Sequence, residues 1–134
     1  MNDESMHKGR ELRQQLIDPA TVGGGSFGTQ ALVPELREIS DAGNWGTIWA
    51  LDGLDEKTKS LCKVTALLAS HHFDQARDHI AISKRLGVTS RELAVAIAQL
   101  TFYVGLPVVH TGLNLTAEVY GLASSGTPPE AKSG

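Results

Sequence analysis

Cysteine is nearly absent. Cys62 is the single one, and one thiol builds neither an intrachain disulfide, nor a dithiol redox pair, nor a multi-thiolate metal site. That usage fits a reducing cytoplasm. An apolar export segment is lacking as well: the first residues, MNDESMHKGRELRQQL, are charged throughout, so a cytoplasmic location is expected. Positive charge is not in excess, since 12 Lys and Arg stand against 15 Asp and Glu for a net charge of −3. Without a basic stripe to displace counterions from a phosphate backbone, nucleic acid is not an expected partner. Aromatic residues make up only 5% of the chain, and no segment sustains the apolar–polar alternation of a strand. At 134 residues the chain suits one modest globular domain and is too short for two.

Long apolar runs are also scarce, with one exception. Leu93 to Val109 (LAVAIAQLTFYVGLPVV) spans 17 residues whose only polar side chains are Gln99, Thr101 and the Tyr103 hydroxyl. That is the lower limit for crossing a bilayer. Gly105 and Pro107 interrupt the run, and Thr89 with Glu92 three residues later forms a capping box just before it. The expectation is a deeply buried helix ending near Gly105, with no membrane association. Such a helix is wrapped either by its own neighbours or between subunits. The limited surface that a small chain can bury favours an oligomer.

What is present is helical punctuation. Residues 1–16 read as a polar helix with Leu12 and Leu16 at i,i+4. The stretch from Ile17 to Gln30, with Gly23 to Gly25 in a row, reads as a linker or as an arm that a partner subunit orders. Its spacing matches no phosphate-binding glycine motif. Pro34 starts a helix whose apolar side is Leu36 and Ile39 and which Gly43 stops. Trp45, Ile48 and Trp49 share one face of a short helix. Asp55 suits an N-cap, and Leu54, Leu61, Val64 and Leu68 keep a helical period. A helix from Phe73 to Leu86 turns Ala76 and Ile80 inward and ends at Gly87. Pro107 opens a last helix with Leu113, Ala117 and Tyr120 along one side, and a tail follows. The class is therefore all-α, a bundle of about six or seven helices. The organisation is an N-terminal helix and glycine-rich arm over 1–33, a helical domain over 34–122, and a flexible tail over 123–134.

The conspicuous polar groups are His71, His72, His79 and His110. His72 and His79 are seven apart, on one helix face but separated by roughly 10.5 Å along the axis, too far to chelate one ion. Completion of a metal site by His110 or Asp78 has no support in the spacing. His79 lies on an inward helix face, where an imidazole exchanges protons near neutrality without a large pKa shift. A hydrogen-bonded core histidine is the structural alternative.

The segments WGTIWALDGLDEKTKSL (Trp45 to Leu61), His79 ahead of AISKRLGVTSREL (Ala81 to Leu93), and FYVGLP (Phe102 to Pro107) resemble the carboxymuconolactone decarboxylase family. The resemblance covers Pro34 to Leu122. It implies the alkylhydroperoxidase-D-like helical fold, assembled as a homotrimer or homohexamer. The family's peroxidase branch carries C-x-x-C-x-x-x-H. With His79 as that histidine, His72 and Gln75 occupy the cysteine positions, so a dithiol mechanism is excluded. Cys62, in an apolar run, reads as a small core residue.

The decarboxylase branch needs no thiol, metal or organic cofactor. The resemblance then implies a small-molecule substrate, a carboxylated lactone or related acid, with His79 as acid/base. Lys59, where the family commonly has Arg in a TRSL-like segment, would hold an anion. Thr47, His72, Tyr103 and His110 are the further candidates for contact with substrate. The family's WGEVW is WGTIW here, so Thr47 replaces a carboxylate. Its RPG is Leu51, Asp52, Gly53, and Lys59 loses the bidentate geometry of Arg. These departures keep two alternatives open: an isomerase- or cyclase-type proton-transfer enzyme, and a non-catalytic small-molecule-binding oligomer.

Overall fold

Helix starts and stops set the architecture. In the computed structural model, which describes residues 3–17 and 27–122, the elements are α1 (Asp3–Leu16), α2 (Phe27–Leu32), α3 (Pro34–Ser40), a π-helix (Asp41–Ile48), α4 (Glu56–Ala69), α5 (Phe73–Arg85), α6 (Ser90–Ala98) and α7 (Leu106–Val119). The described residues contain no strand, and the fold is all-α as expected. The chain divides into two compact units, Met1–Glu56 and Lys57–Gly134. Gly23 to Gly25 and the tail from 123 lie outside the described residues.

In the first unit α1 lies backbone against backbone on the π-helix. A methyl group at Gly9 would run into the Asp41 carbonyl, and one at Gly46 into the Ser5 carbonyl. The Asp41 carboxylate is fully buried and is met by Arg13, whose Nε donates to Oδ1 at 2.7 Å and whose Nη2 donates to Oδ2 at 3.4 Å. Arg10 Nε stands 3.8 Å from Oδ2. Arg37 is held below the ordinary guanidinium value first by burial and then by Arg13, against the pull of Asp41. A carboxylate removed from water needs such cations.

Gly43 does not stop α3. Its chain runs straight into the π-helix, where Trp49 N–H donates to Asn44 O at 2.9 Å. Nor do Leu36 and Ile39 form a covered side, since both are exposed. The packing instead uses Trp45 and Trp49, buried and stacked with ring centroids 5.7 Å apart and planes 4° from parallel. Ile48, expected on their face, is exposed, because the π-turn changes the angular spacing of side chains.

The second unit packs Val64 and Leu68 of α4, Ala76 and Ile80 of α5, Val88, Leu93 and Ile97 of α6, and Val108 and Val109 of α7 into one core. Leu54 stays exposed. Three helices end on the same hydrogen-bond pattern; after α7, Gly121 takes φ 69°, its N–H donates to Glu118 O, and Leu122 N–H donates to Ala117 O. After α5, Gly87 takes φ +88°, Gly87 N–H donates to Lys84 O, and Val88 N–H donates to Ser83 O. After α4, His71 occupies the equivalent left-handed position at φ 59°, and its ring stacks on Phe73. The capping box is formed: Glu92 N–H donates to Thr89 Oγ1, and Thr89 N–H donates to the Glu92 carboxylate.

The helix expected to run to Gly105 ends at Ala98. Gln99 and Thr101 donate their side-chain protons to the carbonyls of Val95 and Ala98, and the chain continues in tight turns. Leu93 and Ile97 are fully buried, but Val95 is exposed and Phe102 is 97% exposed, so this segment is covered on one side only. No helix among the described residues is long and apolar enough to cross a membrane. On α7 the deepest positions are Val109, Gly112 and Thr116, while Leu113, Ala117 and Tyr120 are half-buried.

Helix propensity alone would make Gly9→Ala stabilising by about 1 kcal/mol. The collision with the Asp41 backbone reverses the sign, and urea unfolding is expected to show a loss of about 2 kcal/mol or more.

Candidate functional site

The second unit brings polar groups together where α4 meets α5. Ser60 and Ser83 are fully buried with their hydroxyls 2.6 Å apart. Ser83 Oγ donates to the carbonyl of His79 at 3.0 Å. A hydroxyl has one proton, so Ser60 is the donor between the two serines. One turn along α4 from Ser60 is Lys63, and one turn back along α5 from Ser83 is His79, whose protonation feels the charge of Lys63. The two helices therefore run antiparallel, and Lys63 and His79 are neighbours across them.

His79 is largely buried, with Nδ1 screened from solvent. Burial first, and Lys63 second, lowers its pKa from 6.5 to about 4. The imidazole is therefore neutral at neutral pH, with one N–H and one lone pair. Lys63 is half-buried and held below the ordinary lysine value by burial first. The Cys62 thiol opposes that shift and Lys59, one turn away on the same helix face, adds to it. Lys59, Lys63 and His79 thus form one electrostatic cluster across α4 and α5.

Sequence reasoning identified Lys59 and His79 but missed Lys63. The i,i+4 spacing from Lys59 was the available signal. Cys62, expected in the core, is exposed, because it lies between the buried positions Ser60 and Val64 on the outer side of α4.

The other candidates stand elsewhere. His72 is exposed at the start of α5. Tyr103 is 90% exposed in the turns after α6. His110 is exposed on the same α7 stripe as Pro107, Asn114 and Glu118. Thr47 belongs to the first unit, exposed, with its hydroxyl donating to the Ala42 carbonyl at 2.7 Å. Among the described residues no three His, Cys, Asp or Glu side chains gather as a metal site.

The described residues are all helical and set a largely desolvated imidazole in the field of the Lys63 ammonium group. The carboxymuconolactone decarboxylase family model matches residues 34–118, and the chain belongs to that family. It is 29% identical to a 4-carboxymuconolactone decarboxylase of Acinetobacter baylyi over 121 residues, covering 90% of each chain.

The lowered pKa of His79 has a stability consequence. Between about pH 6.5 and 4 the unfolded chain binds the proton that the folded chain refuses, so acid favours unfolding. The contribution is complete above pH 6.5 and is lost as the pH falls towards 4, by at most about 3 kcal/mol. Urea unfolding at pH 7.5 and pH 4.5 should show a steeper loss for the native chain than for His79→Gln. Equal losses would remove His79 from the account.

Proposed function

We propose that the chain is a cofactor-independent carboxy-lyase acting on a small carboxylated lactone or a related acid. The observation that carries this reading is the largely buried His79 imidazole in the field of Lys63, which in turn feels Lys59, in a chain belonging to a decarboxylase family. The ammonium groups hold the substrate carboxylate. The bond between that carboxyl group and its carbon breaks, CO2 leaves, and the electron pair spreads into the unsaturated lactone. A proton then bonds to carbon, so each CO2 released consumes one proton. The free protein holds His79 neutral, and a carboxylate arriving beside the ring supplies the negative charge that favours the imidazolium. His79 then delivers the proton, and the apolar core behind it favours loss of a charged group.

A second reading is proton transfer without loss of CO2, as in an isomerase or cyclase. Thr47 favours it, since the family's usual carboxylate at that position is replaced by a hydroxyl already donated to Ala42. A screen of carboxylated against neutral lactones separates the two. Conversion of neutral ligands alone would reverse the order, and conversion of none would favour a binding protein.

Self-association as a homotrimer or homohexamer belongs to the same proposal, along with a cytoplasmic setting in aromatic-compound catabolism. Its support is the run of exposed apolar side chains at Phe102, Tyr103 and Leu106, more than a monomer of this size usually leaves bare. A neighbouring subunit there would bring Tyr103 and His110 out of solvent.

Two measurements test the proposal. His79→Ala should lower turnover of a carboxylated lactone by about 100-fold or more at unchanged helicity. Wild-type activity in that variant would leave His79 a packing role. Light scattering should give a multiple of the 14.3 kDa chain mass, reduced by Phe102→Asp, and a monomeric wild type would refute the assembly.

A further inference from the structure

We propose that Lys63 is the residue through which an anionic substrate controls the proton on His79: it takes the substrate carboxylate and so allows the imidazole to charge. This deepens the reading above and rests on it for the anionic substrate. The geometry comes from the serine bridge. Ser60 and Ser83 meet at 2.6 Å, which sets Lys63, one turn on along α4, and His79, one turn back along α5, on the same side of that crossing, close enough for the charge of Lys63 to act on the ring. Lys59 lies at i,i+4 on the same helix and adds its charge to that of Lys63.

The charge that acts on His79 comes from Lys63 on α4, and several charges on the other helices are engaged elsewhere. From α4 come Lys59, Lys63 and the Cys62 thiol. On α7, Glu118 is bound by Arg77 at 2.7 Å. On α6, Glu92 is tied to Thr89 in the capping box. On α5 itself, Lys84 reaches the Val119 carbonyl and the Tyr120 ring. In the free protein Lys63 therefore repels a proton from His79, and Lys59 in turn disfavours the charge on Lys63. A carboxylate paired with Lys63 cancels the first repulsion and adds an attraction of its own. Linkage makes the effect mutual: anion binding draws a proton onto His79, and a protonated His79 tightens the anion.

The residue is also separable from a packing role, because its substitution acts on the free and bound states in opposite senses. Lys63→Met should raise the His79 titration midpoint of the free protein, since one repulsion is gone, and should abolish the anion response. Lys63→Arg keeps a cation at the same place and should behave as the native chain.

The experiment is an imidazole NMR titration of the full chain, with and without malonate as the probe anion. In the native protein malonate is expected to raise the His79 midpoint by about one pH unit, about tenfold in proton affinity. In Lys63→Met the free midpoint should rise and malonate should leave it in place. An unchanged free midpoint in Lys63→Met, or an undiminished malonate response, would overturn the proposal. Calorimetry of malonate binding to the native chain, in buffers of different ionisation heat near pH 4.5, midway between the free midpoint of about 4 and the expected bound one, supplies a check that needs no variant. Proton uptake is expected, and its absence would also overturn the proposal. Neither readout requires turnover. Proton-coupled malonate binding in a chain that decarboxylates nothing would sink the lyase reading and leave Lys63 its role, whereas turnover without coupling would do the reverse.

Discussion

The closeness of α4 and α5 is the constraint on which the functional reading depends. Two buried serines meet there, and the hydrogen bond that Ser83 donates to the His79 carbonyl ties the bridge to the backbone of α5. Each hydroxyl is satisfied, so the polar pair costs little inside the core. Beside this contact the imidazole is largely withdrawn from water and lies in the field of the Lys63 ammonium group. Its chemistry follows from position rather than from any unusual property of histidine.

Much of the fold was legible because helix boundaries are written in local chemistry. Thr89 and Glu92, Gly87, Pro34 and Pro107 each act within a few residues of themselves, and each stands where local rules put it. Less legible were features set by contacts distant in sequence. The π-turn around Trp45 follows from α1 lying against it, and nothing in DAGNWGTI announces that contact. Leu36, Ile39 and Leu54 have helical spacing, but spacing does not say whether another element arrives to cover them. Thr101 shortened α6 through a side-chain bond that competes with the backbone.

The site shows the same division. His79 was found from its inward face and the family resemblance, and Lys59 from its place in a motif. Lys63 was overlooked because a lysine on an amphipathic helix ordinarily reads as solvated surface. Its meaning depends on the antiparallel seating of α5, a fact of packing. Tyr103 and His110 were chosen for residue type, and a single chain leaves both facing water.

The first unit carries a different lesson. Asp41 is wholly dry, and the guanidinium nearest to it belongs to α1, 28 residues earlier in the chain. Helix α1 is therefore an integral part of the first unit. Losing it would take Arg13 and Arg10 from the Asp41 carboxylate, leaving Arg37 as its cation, and uncover the glycine seam of the π-turn. Whatever trims this protein at its front end would disable the ground beneath Trp45 and Trp49 before touching the imidazole.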